Sequence, residues 1–206
     1  MTASVPTRKP FLEWEPLPYL VVLALAVAIS LVRPADAPFA FWPLLIAVVL
    51  AAAWLVATLV RDGRSTRNPD RWGDLRTLDG IRVIDAPGQP RAVSGVVPVR
   101  DAERHQSSID LARIHGGNEQ HAVLVPRASR WMARRYRIGV QLVGGTRPHL
   151  AGFLHEAADE RWRAVLDGLR AHDAYVRVPA TIVGQERPFR VELDLSGLEA
   201  VAAERD

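Results

Sequence analysis

The sequence predicts an α+β protein in two parts. A two-helix transmembrane hairpin comes first, followed by a small mixed domain with a curled antiparallel sheet or partial barrel and two helices. Three observations predict this. Two uncharged apolar runs stand near the N-terminus with a polar turn between them. The 206 residues carry 26 basic and 23 acidic side chains, yet residues 1–60 hold only three of each. Beyond them, short β-rich runs alternate with two helical patterns. One part suits lipid and the other suits water.

Residues 1–16 read as a tail and residues 17–60 as the hairpin. The first run, Leu17–Val32, and the second, Pro38–Val60, contain no charge. As helices they reach about 24 and 34 Å, against a hydrocarbon core of about 30 Å. The second is long enough; the first spans only with help from interfacial residues and local thinning. Arg33-Pro34-Ala35-Asp36-Ala37 joins them, a link so short that the helices must be antiparallel. Arg8 and Lys9 precede the pair, while Arg61, Arg64, Arg67 and Arg71 follow it. The positive-inside rule then places both chain ends in the cytoplasm and the link outside an inner (plasma) membrane. Trp14, Tyr19, Trp42, Arg61 and Arg64 are the expected membrane-interface residues. Ala24/Ala28 and Ala47/Ala51 are small enough for close helix approach. Ala35-Asp36-Ala37 imitates a signal-peptide cleavage site, but Pro38 hinders cleavage there and a second span follows.

Residues 61–79 read as a basic linker broken by Gly63, Pro69 and Gly73. Residues 80–198 form the second part. Strands are expected at Ile81–Asp85 and Ala92–Val99 around a Pro87-Gly88-Gln89-Pro90 turn. Ser107–His115 reads as a helix capped by Ser107, with Asp110 at the capping-box position and Gly116-Gly117 as its stop. Strands follow at His121–Val125, Tyr136–Val143 and Leu150–Leu154. From Glu156 to His172 the residues Ala158, Trp162, Val165, Leu166 and Leu169 make one apolar stripe, with acids opening the helix and Arg170 and His172 closing it. Strands Tyr175–Val183 and Phe189–Leu195 complete the domain, and residues 199–206 read as a tail.

Composition removes whole classes of chemistry. No cysteine is present and Lys9 is the only lysine, so thiolate metal sites, cysteine nucleophiles, lysine phosphate loops and Schiff bases are excluded. His155-Glu156-Ala157-Ala158-Asp159 begins like H-E-x-x-H but ends in aspartate. His115 and His121 have no third ligand at useful spacing, and Gly144-Gly145-Thr146-Arg147 reads as a hairpin turn. The expectation is a protein that is not an enzyme and needs no cofactor.

The segment Arg127–Arg137 is the most pointed feature. It places Arg127, Arg130, Arg134, Arg135 and Arg137 around Trp131 and Tyr136. Three readings compete. The arginines pair with phosphates while the aromatics stack bases; the loop presses on anionic headgroups with Trp131 and Met132 at the surface; or the apolar residues pack and the arginines are solvated or paired with Glu156, Asp159 and Glu160.

The run from His121 to Leu195 resembles the HIRAN domain as found in bacterial proteins. The resemblance is carried by Leu124-Val125-Pro126, the Gly152-Phe153-Leu154 step into an acidic-start helix, Val176–Gly184 and Phe189–Leu195. Upstream, Val93-Ser94-Gly95 and Ser107–His115 fit that domain's opening, so the likeness covers about residues 92–196, roughly half the chain. It implies nucleic-acid recognition, since HIRAN domains of DNA-remodelling proteins bind single-stranded DNA ends. The family's Asn-Pro-x-Asp element is missing here: residues 127–137 contain neither asparagine nor acid. End-specific binding therefore does not carry over. The first expectation is a membrane-anchored interaction module, with the bilayer and another membrane protein as partners. The alternative is a membrane-tethered nucleic-acid-binding protein using residues 127–137.

Overall fold

The computed structural model describes residues 8, 9, 11, 14, 16–34, 37–64, 75, 77–88, 95–129, 132–145 and 147–203. The chain divides into two compact units, Lys9–Arg67 and Met1–Arg8 with Asn68–Asp206.

The first unit holds two helices that pack on each other, α1 (Leu17–Leu31) and α2 (Pro38–Arg64). Pro38 opens α2, where its missing N–H costs nothing. From Pro38 to Val60 this helix is long and apolar enough to cross a membrane, and only 6% of its most apolar window is buried. α1 has 15 residues and a reach of about 22 Å, so it is the shorter apolar helix of the two. α2 also runs on to Arg64, past the Val60 boundary expected from hydropathy. Arg61 and Arg64 therefore lie in its last turn rather than in a linker.

The second unit is a mixed α+β fold. Its strands are β1 (Arg82–Asp85), β2 (Val96–Pro98), β3 (Glu119–Ala128), β4 (Arg137–Leu142), β5 (His149–Phe153), β6 (Ala174–Val183) and β7 (Arg190–Asp194). Its helices are α3 (Gln106–Gly116), α4 (Glu156–Arg170) and α5 (Leu198–Ala203), with a 3-10 turn at Ala102–His105 ahead of α3. Among the described residues this unit has three α-helices, not two: the expected C-terminal tail contains α5, because Leu198 and Val201 are buried in the core.

The sheet runs β2-β7-β6-β3-β4-β5, antiparallel throughout, and β1 adds to β6 as one parallel pair. β6 is long enough to hold β3 along one edge while β1 and then β7 share the other. The sheet curls into a half-barrel, and Arg100, two residues past β2, makes one isolated bridge to Phe153 on β5. Alternation along β3 explains the two cores. Ala122 and Leu124 face a large cluster with Ile109, Val140, Trp162, Leu166 and Leu198. Val123 and Val125 face the other side, with Leu75 and Tyr175. Leu75 is buried, so the far end of the expected linker already packs as fold.

α4 forms because its apolar stripe repeats at helical spacing, with Glu156 and Asp159 in the first turn and Arg170 in the last. α3 corrects a detail. Ser107 does not cap it; the helix starts earlier, with His105 at the cap and no side-chain cap bond. Gln106 fastens that end instead, accepting from the Phe189 N–H at 2.7 Å and donating to the Phe189 carbonyl at 3.0 Å. Asp110 pairs with Arg187 at 2.8 Å rather than closing a capping box. Gly117, at φ 77, ends the helix as expected.

Candidate functional site

Residues 127–137 do not form one loop. Arg127 belongs to β3 and Arg137 opens β4. Between Val125 and Ala128 the β3–β4 register slips, so that Pro126 and Arg127 together face a single residue of β4. This bulge puts Arg127 at φ 57 and turns its side chain onto α4. There its Nε donates to Asp167 Oδ1 at 2.9 Å, and Asp167 is buried. Arg137 donates to Asp101 Oδ2 at 3.0 Å and lies over the Phe153 ring, 5.0 Å from its centroid. Both end arginines are thus held by carboxylates. Neither partner is among Glu156, Asp159 and Glu160, the acids expected from sequence.

Arg134 and Arg135 are exposed, as is Met132 at 66%. Tyr136 is half-buried, and its carbonyl accepts from Arg163 Nη2 at 3.1 Å. Arg130 and Trp131 lie outside the described residues. Arg135 also pairs across an isolated antiparallel bridge with Arg8.

Next to this segment is a cleft of about 550 Å³ between the start of β4, residues 100–101 and the first turns of α4. Arg135, Tyr136 and Arg137 line it together with Glu156, Asp159 and Glu160, and with Arg100, Asp101 and Arg163. Its charges balance, four arginines against four acids. Half-buried Arg163 and buried Asp159, one helical turn apart, form an ion pair in its lining. Asp159 Oδ2 also accepts from the Ile138 N–H at 3.2 Å. Burial pushes the Asp159 carboxyl above its usual range, against the pull of Arg163 and of the Ile138 N–H. Arg100 and Glu156 stand farther apart at 3.8 Å, both well exposed.

Sequence reading missed Arg100, Asp101, Arg163 and Asp167. The Asp159/Arg163 spacing of i,i+4 was a usable signal. Nothing local marks Asp101 or Asp167 as partners, because each meets its arginine across the fold.

His155 caps α4 in extended backbone and leads into exposed Glu156, while Asp159 is committed to Arg163 and Ile138. His115 stacks on His149 with ring centroids 6.4 Å apart. In the helical unit, Trp14 is half-buried against Phe11, Tyr19 is exposed on α1, and Trp42 is exposed on α2 edge-on to Phe41.

No family model, no curated protein and no solved structure matches the chain.

Proposed function

We propose that this chain is a non-enzymatic, membrane-anchored interaction module. The helical unit holds the α+β domain, a HIRAN-like module degenerate in its nucleotide-gripping element, at the cytoplasmic face of the inner membrane. Both chain ends lie in the cytoplasm and the Arg33–Ala37 link lies outside. The α+β domain meets a partner there, and that partner is another membrane protein.

One observation carries the reading: α2 shows apolar side chains outward rather than inward. Phe39, Trp42, Ile46, Val49 and Leu50 are all exposed. A helix apolar all round needs an apolar medium. α4, by contrast, buries one stripe and shows charge elsewhere. Nucleic-acid binding through the whole 127–137 segment is the weaker reading, since Arg127 and Arg137 are already neutralised by Asp167 and Asp101.

Membrane extraction tests the anchor. The unaltered chain stays in the pellet through alkaline carbonate, whereas Val49→Arg, at a cost of about 3 kcal/mol mid-span, is released. A cysteine placed at Ala37 reacts with an impermeant maleimide from outside, and one at Gln185 reacts only after permeabilisation. Release of the unaltered chain by carbonate overturns the anchor; labelling of residue 185 in intact cells overturns the orientation.

A further inference from the structure

We infer that Arg8, Arg134 and Arg135, with Met132 close to the last two along the chain, form a docking surface for anionic lipid headgroups. This rests on the membrane-anchored reading above. Arg8 and Arg135 are partners across an antiparallel bridge, and both side chains are exposed. Like charges set directly opposite one another on a strand pair repel and weaken it. Among the described residues neither has an ion-pair carboxylate, in contrast to Arg127 and Arg137. Arg135 borders the acids of the cleft but Arg8 does not line it, so the pair still gains from an external anion.

Met132 selects the kind of anion. It is 66% exposed, two residues from Arg134. A headgroup layer satisfies both: phosphates take the guanidinium groups, and the thioether enters the apolar boundary beneath them. A nucleic-acid backbone gives an exposed methionine no such place. Chain connectivity supports the same source, because only residues 9–16 separate Arg8 from the first apolar helix.

The 206-residue chain has no cysteine, so Met132→Cys in it takes a single environment-sensitive fluorophore. The labelled chain is reconstituted in nanodiscs of phosphatidylcholine alone or with phosphatidylglycerol. With phosphatidylglycerol the emission shifts blue, acrylamide quenching falls about twofold or more, and added salt reverses both. Arg134→Ser and Arg135→Ser each lower the bound population about fivefold, while Arg→Lys at the same positions retains it.

Identical emission and quenching in the two lipids, with the arginines intact, overturns the inference whatever the variants do. A shift produced by single-stranded DNA but not by phosphatidylglycerol overturns it in favour of nucleic acid. Failure to enter the discs at all instead refutes the anchored reading, so the two failures are distinct.

Discussion

Arg100 and Phe153 exchange two backbone hydrogen bonds, at 2.8 and 3.0 Å, and through them the two edges of the sheet meet. One residue earlier, the Val99 N–H still donates to Val191 on β7 at 2.8 Å. The chain therefore crosses from one edge to the other within a single step. The same junction frames the cleft. Arg100 and Asp101 form one wall, and Phe153 supports the Arg137 guanidinium from below.

Gly152 permits this closure. Its φ of 146 suits glycine alone, and an added Cβ would run into the Arg100 carbonyl. The β4–β5 register slips here too, placing an extra residue in β5 just before the junction. Gly152→Ala should cost at least about 2 kcal/mol, since backbone strain of this kind is worth about 1–3 kcal/mol and a steric clash adds to it. Urea unfolding reads the loss. Hydrogen exchange should lose protection at the Arg100 and Phe153 amides first, with Val176 in the central β6 retaining it. Unchanged stability and unchanged exchange would show that the edges do not meet.

Arg127 is tied into the fold by an ion pair. Its partner Asp167 is buried, so Arg127→Met strands a carboxylate at about 3 kcal/mol or more. Arg127→Met combined with Asp167→Leu removes both charges and should recover most of that loss. Thermal or urea unfolding of the single and double variants separates the two cases. Equal destabilisation in both would mean that the pair is not the reason Arg127 matters.

The parts of the fold readable from sequence were those set by local pattern. The stripe from Ala158 to Leu169 gives α4, and Gly117 stops α3 because a left-handed residue is cheapest as glycine. α5 escaped notice because six residues are too few to show a period; it is held by burial of Leu198 and Val201. The parallel pairing of β1 with β6 joins Arg82 to Ala174, a contact no local signal announces. The arginine segment was legible as charge but not as geometry. A bulge at residue 127 and acids far along the chain decide which arginines remain outward.

Acid should expose two opposed carboxylate effects. The hydrogen bond from Arg177, 2.9 Å at Nη2, holds Asp85 below the usual range, and that from Arg187 does the same for Asp110. A carboxyl whose folded pKa is depressed gives stability that is complete above the unfolded value, about 3.9, and is lost as pH falls through the folded value. For the exposed Asp85 pair this amounts to about 1 kcal/mol at most. Asp159 runs the other way. Burial raises its folded pKa, so its proton is bound more tightly in the fold, and the resulting stability is present below about pH 3.9 and lost as pH rises through the raised value. Asp85→Asn should therefore flatten the decline in stability below about pH 4. Asp159→Asn should steepen the decline as pH falls from the raised value toward about 3.9, because the compensating proton uptake is gone. Loss of the Arg163 pair also lowers the whole Asp159→Asn curve, but by an offset, whereas the slope reports the titration. Urea unfolding at closely spaced pH values reads both, and parallel curves for Asp159→Asn and the unaltered chain would show that Asp159 titrates as an ordinary exposed carboxylate.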